Sequence, residues 1–232
     1  MERVCQDDAV RVPRILSGLM VAAVVLTGYG VAAAAEPDLQ PAAAVTTVSA
    51  ATAATPAKVT TAAAKKYVFP VSAKNASWHN THSGYPATDI FAACGSKFVA
   101  TTNGVVLEIS LKDKFKKGMK DGPYNGGLFV SILGDDGVRY YGSHLQSVTT
   151  GIKKGVRVKA GQLLGKVGHT GNASGVCHLH YGISPPCAKV GDWKVRRGVV
   201  WPYTFLASWR KGGQKNPGSA MRYWRNTHHC KA

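Results

Sequence analysis

Between residues 97 and 184 the apolar positions come in runs of five to eight, separated by glycine-containing turns. The clearest are KFVAT (97–101), GVVLEISL (104–111), GLFVSIL (127–133), VRYYGSHL (138–145) and HLHYGIS (178–184). They are rich in β-branched and aromatic residues, a pattern that predicts short strands rather than helices. Asp135-Asp136-Gly137 lies between two of these runs and predicts a hairpin turn in which glycine supplies the positive φ. GVRVKAGQLLGKVGHTGNASG (155–175) continues the pattern as very short strands broken by glycines. Helix signals are scarce until PYTFLASWRK, which starts at Pro202 and stops before Gly212-Gly213. The predicted fold class is mainly β: a compact antiparallel β-sheet domain with a short C-terminal helix.

The first 35 residues read differently. No charge occurs from Ile15 to Ala35, and Arg11 and Arg14 flank the run. A cationic flank, an apolar stretch and a closing Ala-Ala-Ala predict a secretory signal peptide over residues 1–35. About 20 apolar residues would also serve as an uncleaved anchor, but the small-residue end and Gly18, Gly28 and Gly30 favour cleavage. Cys5 precedes the run, unlike a lipoprotein acceptor. Residues 36–66 are mostly Ala, Thr, Val, Pro and Ser, and the prolines interrupt any helix, so this stretch predicts a flexible linker. The folded domain is expected over 67–232. The protein is expected to be secreted, extracellular or wall-associated, and not integral to the membrane after cleavage. Cys94, Cys177, Cys187 and Cys230 are then an even set in an oxidising compartment, where disulfides persist; three pairings remain open.

Charge narrows the partners. The chain carries 29 Lys and Arg against 12 acids, a net +17, and the excess lies in residues 65–232. Such a surface favours an anionic partner: nucleic acid, membrane surface or anionic cell-wall polymer. Lys112, Lys114, Lys116, Lys117 and Lys120 form one basic run, a solvated loop whose functional reading is attraction to anionic wall polymer. Glutamate occurs only at positions 2, 36 and 108, which leaves little material for two-carboxylate glycosidase chemistry or a Glu-based metalloprotease.

Eight histidines carry the candidate chemistry. His178 and His180 stand at i and i+2, so on a strand both imidazoles share one face; two surface histidines on a strand would give the same pattern. THSGYPATDIF (81–91) adds His82 and Asp89 ahead of the first strong strand, and YYGSHL adds His144. A His, a carboxylate and a distant strand His suit tetrahedral zinc with a fourth position left for water.

Taken in order, TDIFAACGSKFVATTNGVV, YYGSHLQSV, VKAGQLLGKVGHTGNASG and HLHYGI resemble the lysostaphin/LytM-type zinc metallopeptidases, over about residues 78–185. The resemblance implies an antiparallel β fold with an active-site groove and peptidoglycan stem and cross-bridge peptides as substrate. It implies Zn²⁺ as cofactor, held by His82, Asp89 and His180, and catalytic roles for His144 and His178. One departure stands out. The family spacing is His-x-x-x-Asp, but Tyr85 occupies the position four before Asp89, and His82 lies seven before it. A longer loop is expected to deliver His82, with His79 as the reserve ligand; the Tyr-Pro-Ala-x-Asp segment looks like that of actinobacterial relatives.

No His-Glu-x-x-His motif is present, so a neutral imidazole must be the base. Cys177 is expected on the strand face opposite His178, bridged to Cys94 or Cys187. Four of the five tryptophans fall between 193 and 225 with Arg196, Arg197, Arg210, Arg222 and Arg225; they are expected to cover the domain's own apolar surface. His228 and His229 are expected to fray, and His169 to sit in a turn. The leading function is a secreted zinc metalloendopeptidase hydrolysing peptidoglycan peptide cross-links. The alternative is a non-catalytic cell-wall-binding or hydrolase-activating module on the same fold. Nucleic-acid binding is opposed by the export signal and the histidine set.

Overall fold

The computed structural model describes residues 66–232; the expected signal peptide, and the linker as far as residue 65, lie outside the described residues. Two antiparallel sheets make up the domain. Seven strands order as β2(Ser77–Trp78), β3(Thr88–Phe91), β11(His178–Ser184), β7(Arg139–Ser143), β6(Phe129–Gly134), β5(Gly104–Ser110) and β9(Arg157–Val158). The other four order as β1(Val71–Ser72), β4(Lys97–Val99), β10(Leu163–Val167) and β8(Leu145–Val148). The predicted mainly antiparallel β class is what the chain adopts.

Strand β11 explains most of the arrangement. It is buried along its whole length, with β3 on one side and β7 on the other. Leu179, Tyr181 and Ile183 are fully buried in the apolar core, and period-two alternation sends His178 and His180 to the other face. Each such core side chain stabilises the fold by about 1.5–3 kcal/mol. Gly142, opposite Tyr181 on β7, lets the layers close: a Cβ there would stand 2.5 Å from the Phe98 ring. Asp135-Asp136-Gly137 forms the expected hairpin turn, with Gly137 at φ 76°.

The run 138–145 does not form one strand. β7 ends at Ser143 and β8 begins at Leu145, and His144 between them takes a left-handed backbone with φ 62°. Because β8 pairs in the other sheet, His144 marks where the chain changes layers.

Three helices follow: α1(Trp193–Arg196), α2(Tyr203–Arg210) and α3(Gly218–His228). α2 is the predicted helix; its Phe205, Leu206 and Trp209 pack into the core, with Trp209 stacked on Tyr67 at 5.6 Å. α3 corrects the expectation of a fraying end. His228 is helical and stacks on Trp224 at 4.8 Å, and Cys230 just beyond is bonded to Cys187. Apart from Gly218, α3 fully buries only Met221, with Ala220 and Trp224 partly buried against the core beside it, so its apolar face is a single short patch. The tryptophans divide: Trp209 covers core as expected, whereas Trp201 is exposed. Among the described residues, no helix is long and apolar enough to cross a membrane.

Candidate metal centre and its groove

The antiparallel pairing of β11 with β3 sets His180 opposite Asp89, and its pairing with β7 sets His180 opposite Ser143. The register therefore puts His180 Nδ1 3.1 Å from Asp89 Oδ1. His82 arrives from the loop before β3, with Nε2 3.8 Å from Asp89 Oδ2. Ligand atoms of His82, Asp89 and His180 all lie within 4.8 Å of one another. Gly84, at φ 86°, supplies the bend that returns His82 over the carboxylate. His79 is exposed and packs edge-on against Phe91 instead, outside this cluster.

Protonation follows from the partners. His180 Nε2 lies 2.9 Å from the Arg197 carbonyl. A carbonyl only accepts, so Nε2 carries a proton and Nδ1 faces the Asp89 carboxylate. At 3.1 Å this pair is satisfied either by a proton on Nδ1, which makes His180 an imidazolium donating to Asp89, or by a metal ion in the proton's place; the donor set suits zinc, with the backbone carbonyl orienting the histidine from behind. Burial lowers the His82 pKa, and the nearby His180 lowers it further, which keeps the imidazole neutral. Burial alone would raise the Asp89 carboxyl, but the His180 hydrogen bond and the surrounding histidine charges outweigh it and hold it at about 2. Tyr85 occupies the place of the expected family histidine, 4.4 Å from the His82 ring. Burial pushes its phenol upward, so it stays neutral and is a poor ligand.

His144 and His178 face the same space. His144 Nδ1 donates to the Thr170 carbonyl at 2.7 Å and His178 Nδ1 to the Val176 carbonyl at 2.8 Å, leaving both Nε2 atoms as bare acceptors. Their rings are 4.7 Å apart, and His178 Nε2 lies 3.8 Å from Asp89 Oδ1. Burial, then the charges of His180 and His178, drive the His144 pKa down to about 3. Two imidazoles with Nδ1 already engaged, beside a ligand cluster, can accept and return a proton at Nε2.

Residues beyond the expected set complete the groove, a space of about 430 Å³ that includes Asp121, Asn125 and Arg197. Trp193, Arg196 and Arg197 come from α1 and the residue after it. The Trp/Arg pattern is expected to cover apolar surface, and nothing local to 193–197 shows that this turn comes back to the histidines. Glu108 pairs with Arg196 at 3.2 Å, consistent with its exclusion as a base. Cys94 is bonded to Cys177, next to His178, with Cα atoms 5.3 Å apart. His169 stands exposed beside this bridge; the two sulfurs are bonded to each other, so they offer no thiolates.

Residues 81–191 match the sequence profile of Peptidase family M23. The chain is 30% identical over 145 residues to an L-Ala–D-Glu endopeptidase of Bacillus subtilis strain 168, covering 60% of this chain and 38% of that protein's length. Among solved structures, it is similar to the catalytic domain of lysostaphin from Staphylococcus simulans, at 24% identity and a TM-score of 0.45, covering 58% of this chain and 94% of that one. A zinc-containing peptidase from Vibrio cholerae matches at 20% identity and a TM-score of 0.40, over 51% and 36% of the two chains.

Proposed function

With residues 81–191 matching the profile of Peptidase family M23, we propose that this protein is a secreted zinc metalloendopeptidase that hydrolyses peptide bonds of bacterial peptidoglycan. The observation that carries this reading is the convergence of His82, Asp89 and His180 within 4.8 Å, beside two bare imidazole nitrogens. The L-Ala–D-Glu endopeptidase to which the chain is related supports a stem peptide as substrate.

His82, Asp89 and His180 would hold the zinc. When bound, zinc polarises a scissile carbonyl and lowers the pKa of water toward about 7. The protein's own residues then handle the proton. His178, with Asp89 3.8 Å away to stabilise its positive form, takes a proton from the attacking water at Nε2. His178 then returns that proton to the leaving nitrogen, while His144, disfavoured as a cation by burial, stays neutral beside it. The Thr170 and Val176 carbonyls hold both rings in the tautomer this requires.

The test is zinc content together with product chemistry. Purified protein should hold about one zinc per chain, and it should release new amino groups from purified walls without new reducing ends. A wall-binding module would hold no zinc and release neither; reducing ends alone would point to a glycosidase.

A further inference from the structure

Arg197 has no role in holding metal or moving protons, yet its guanidinium lies in the groove with His82, Asp89 and His180. It sits 3.7 Å from the Tyr85 ring centroid and 4.8 Å from that of Trp193. Two aromatic contacts of this kind limit its rotation and leave its planar edge free for a partner. Among the described residues, no carboxylate stands within 4.0 Å of it, and its Nε is buried without a hydrogen-bond partner. Asp121 lines the same groove but accepts from Asn125 at 3.0 Å.

The backbone there is equally constrained. The Arg197 carbonyl accepts from His180; a Cβ on Gly182 would collide with that carbonyl, and one on Gly198 would lie 2.5 Å from the Pro86 oxygen. The guanidinium thus has a set position relative to the ligand histidine. An arginine kept without a counter-ion beside a site suited to a divalent cation is electrostatically costly unless an anion is expected there.

Resting on the peptidase reading above, we propose that Arg197 forms a carboxylate-binding subsite of the groove. The preferred substrate is accordingly a peptide bearing a free carboxylate next to the scissile bond, not an uncharged cross-bridge. The fork geometry of a guanidinium matches a carboxylate through two parallel hydrogen bonds, which an amide cannot reproduce.

The probes are the tetrapeptide L-Ala–γ-D-Glu–L-Lys–D-Ala and its counterpart with the glutamate α-carboxylate converted to the amide. Zinc-loaded wild-type protein should cleave the acid with a kcat/KM about 10- to 100-fold above the amide, as expected for a charge-assisted pair. Arg197→Gln should bring that ratio near one while zinc content stays the same, and Arg197→Lys should restore part of it. Lys194→Gln, which removes an exposed charge on the same turn, should leave the ratio as in wild type. A wild-type ratio near one, or a ratio that survives Arg197→Gln, overturns the proposal. If neither peptide is cleaved, release of amino groups from purified walls decides the peptidase reading, and calorimetry decides the subsite separately: tighter binding of the acid that Arg197→Gln abolishes sustains it, and equal binding of both peptides rejects it.

Discussion

His180 and Asp89 are register partners in the antiparallel β3–β11 pair, and that cross-strand position brings Nδ1 to within 3.1 Å of Oδ1. Two of the three candidate ligands are thus placed by sheet hydrogen bonding, while the third, His82, is delivered by a loop. Metal analysis of dialysed variants should show that Asp89→Ala and His180→Ala lose most bound zinc. His82→Ala should lose it as well, and His79→Ala should retain it. Full zinc in His82→Ala with loss in His79→Ala would reverse the ligand assignment.

His144→Ala and His178→Ala should keep about one zinc per chain and lose roughly 10²- to 10⁴-fold in hydrolysis, the usual range for removing a positioned acid–base group. Loss of metal from either variant would mean that its imidazole serves as a ligand instead.

The Cys94–Cys177 and Cys187–Cys230 bridges link residues 83 and 43 positions apart. Protein recovered from the culture medium should gain about 4 Da on reduction, two hydrogens per bridge. The double variant Cys94→Ser/Cys177→Ser should lose about 2–5 kcal/mol in urea unfolding. Four free thiols before reduction would contradict both bridges.

Gly142→Ala should lower stability by about 1–3 kcal/mol through overpacking against Phe98. An unchanged urea midpoint would show that the Phe98 ring moves aside freely.

Metal-free protein should weaken in acid. The folded chain holds His144 at about 3 against an ordinary 6.5, so below pH 6.5 the unfolded chain takes up a proton that the folded chain refuses. Stability is full above 6.5 and falls toward pH 3, by at most about 1.4 kcal/mol per unit from this residue. Asp89, held at about 2, acts in the same direction lower down: its contribution is present above 3.8 and is lost as pH falls through 2. Urea midpoints in chelator between pH 7 and 4 should decline less steeply in His144→Asn than in wild type. Parallel declines would assign the acid sensitivity to other groups.

Much of this was legible in the chain because alternation fixes faces. HLHYGIS defined β11 to the residue and put His178 and His180 on one side. The departure at Tyr85 was visible as a spacing, and a seven-residue separation with Gly84 and Pro86 inside it left His82 a route back to Asp89. What stayed hidden was tertiary. α1 has four residues, too few for periodicity, and the position of Arg197 depends on backbone contacts with Gly182 and Pro86. α3 shows only a short apolar patch of Ala220, Met221 and Trp224, and Cys230 could only be assigned to Cys187 once the chain was folded. The break at His144 was masked because VRYYGSHL reads as one β-branched and aromatic run.

The left-handed backbone of His144 has an evolutionary consequence. Holding a non-glycine residue there costs about 1–2 kcal/mol, and the Thr170 hydrogen bond returns about 1 kcal/mol of that. Glycine or asparagine would occupy the same turn with less strain, losing the buried ring and its bond to the Thr170 carbonyl. On the proposed reading it is turnover that holds histidine at this position, and a lineage released from that need could drift to an inert but folded descendant in a single substitution.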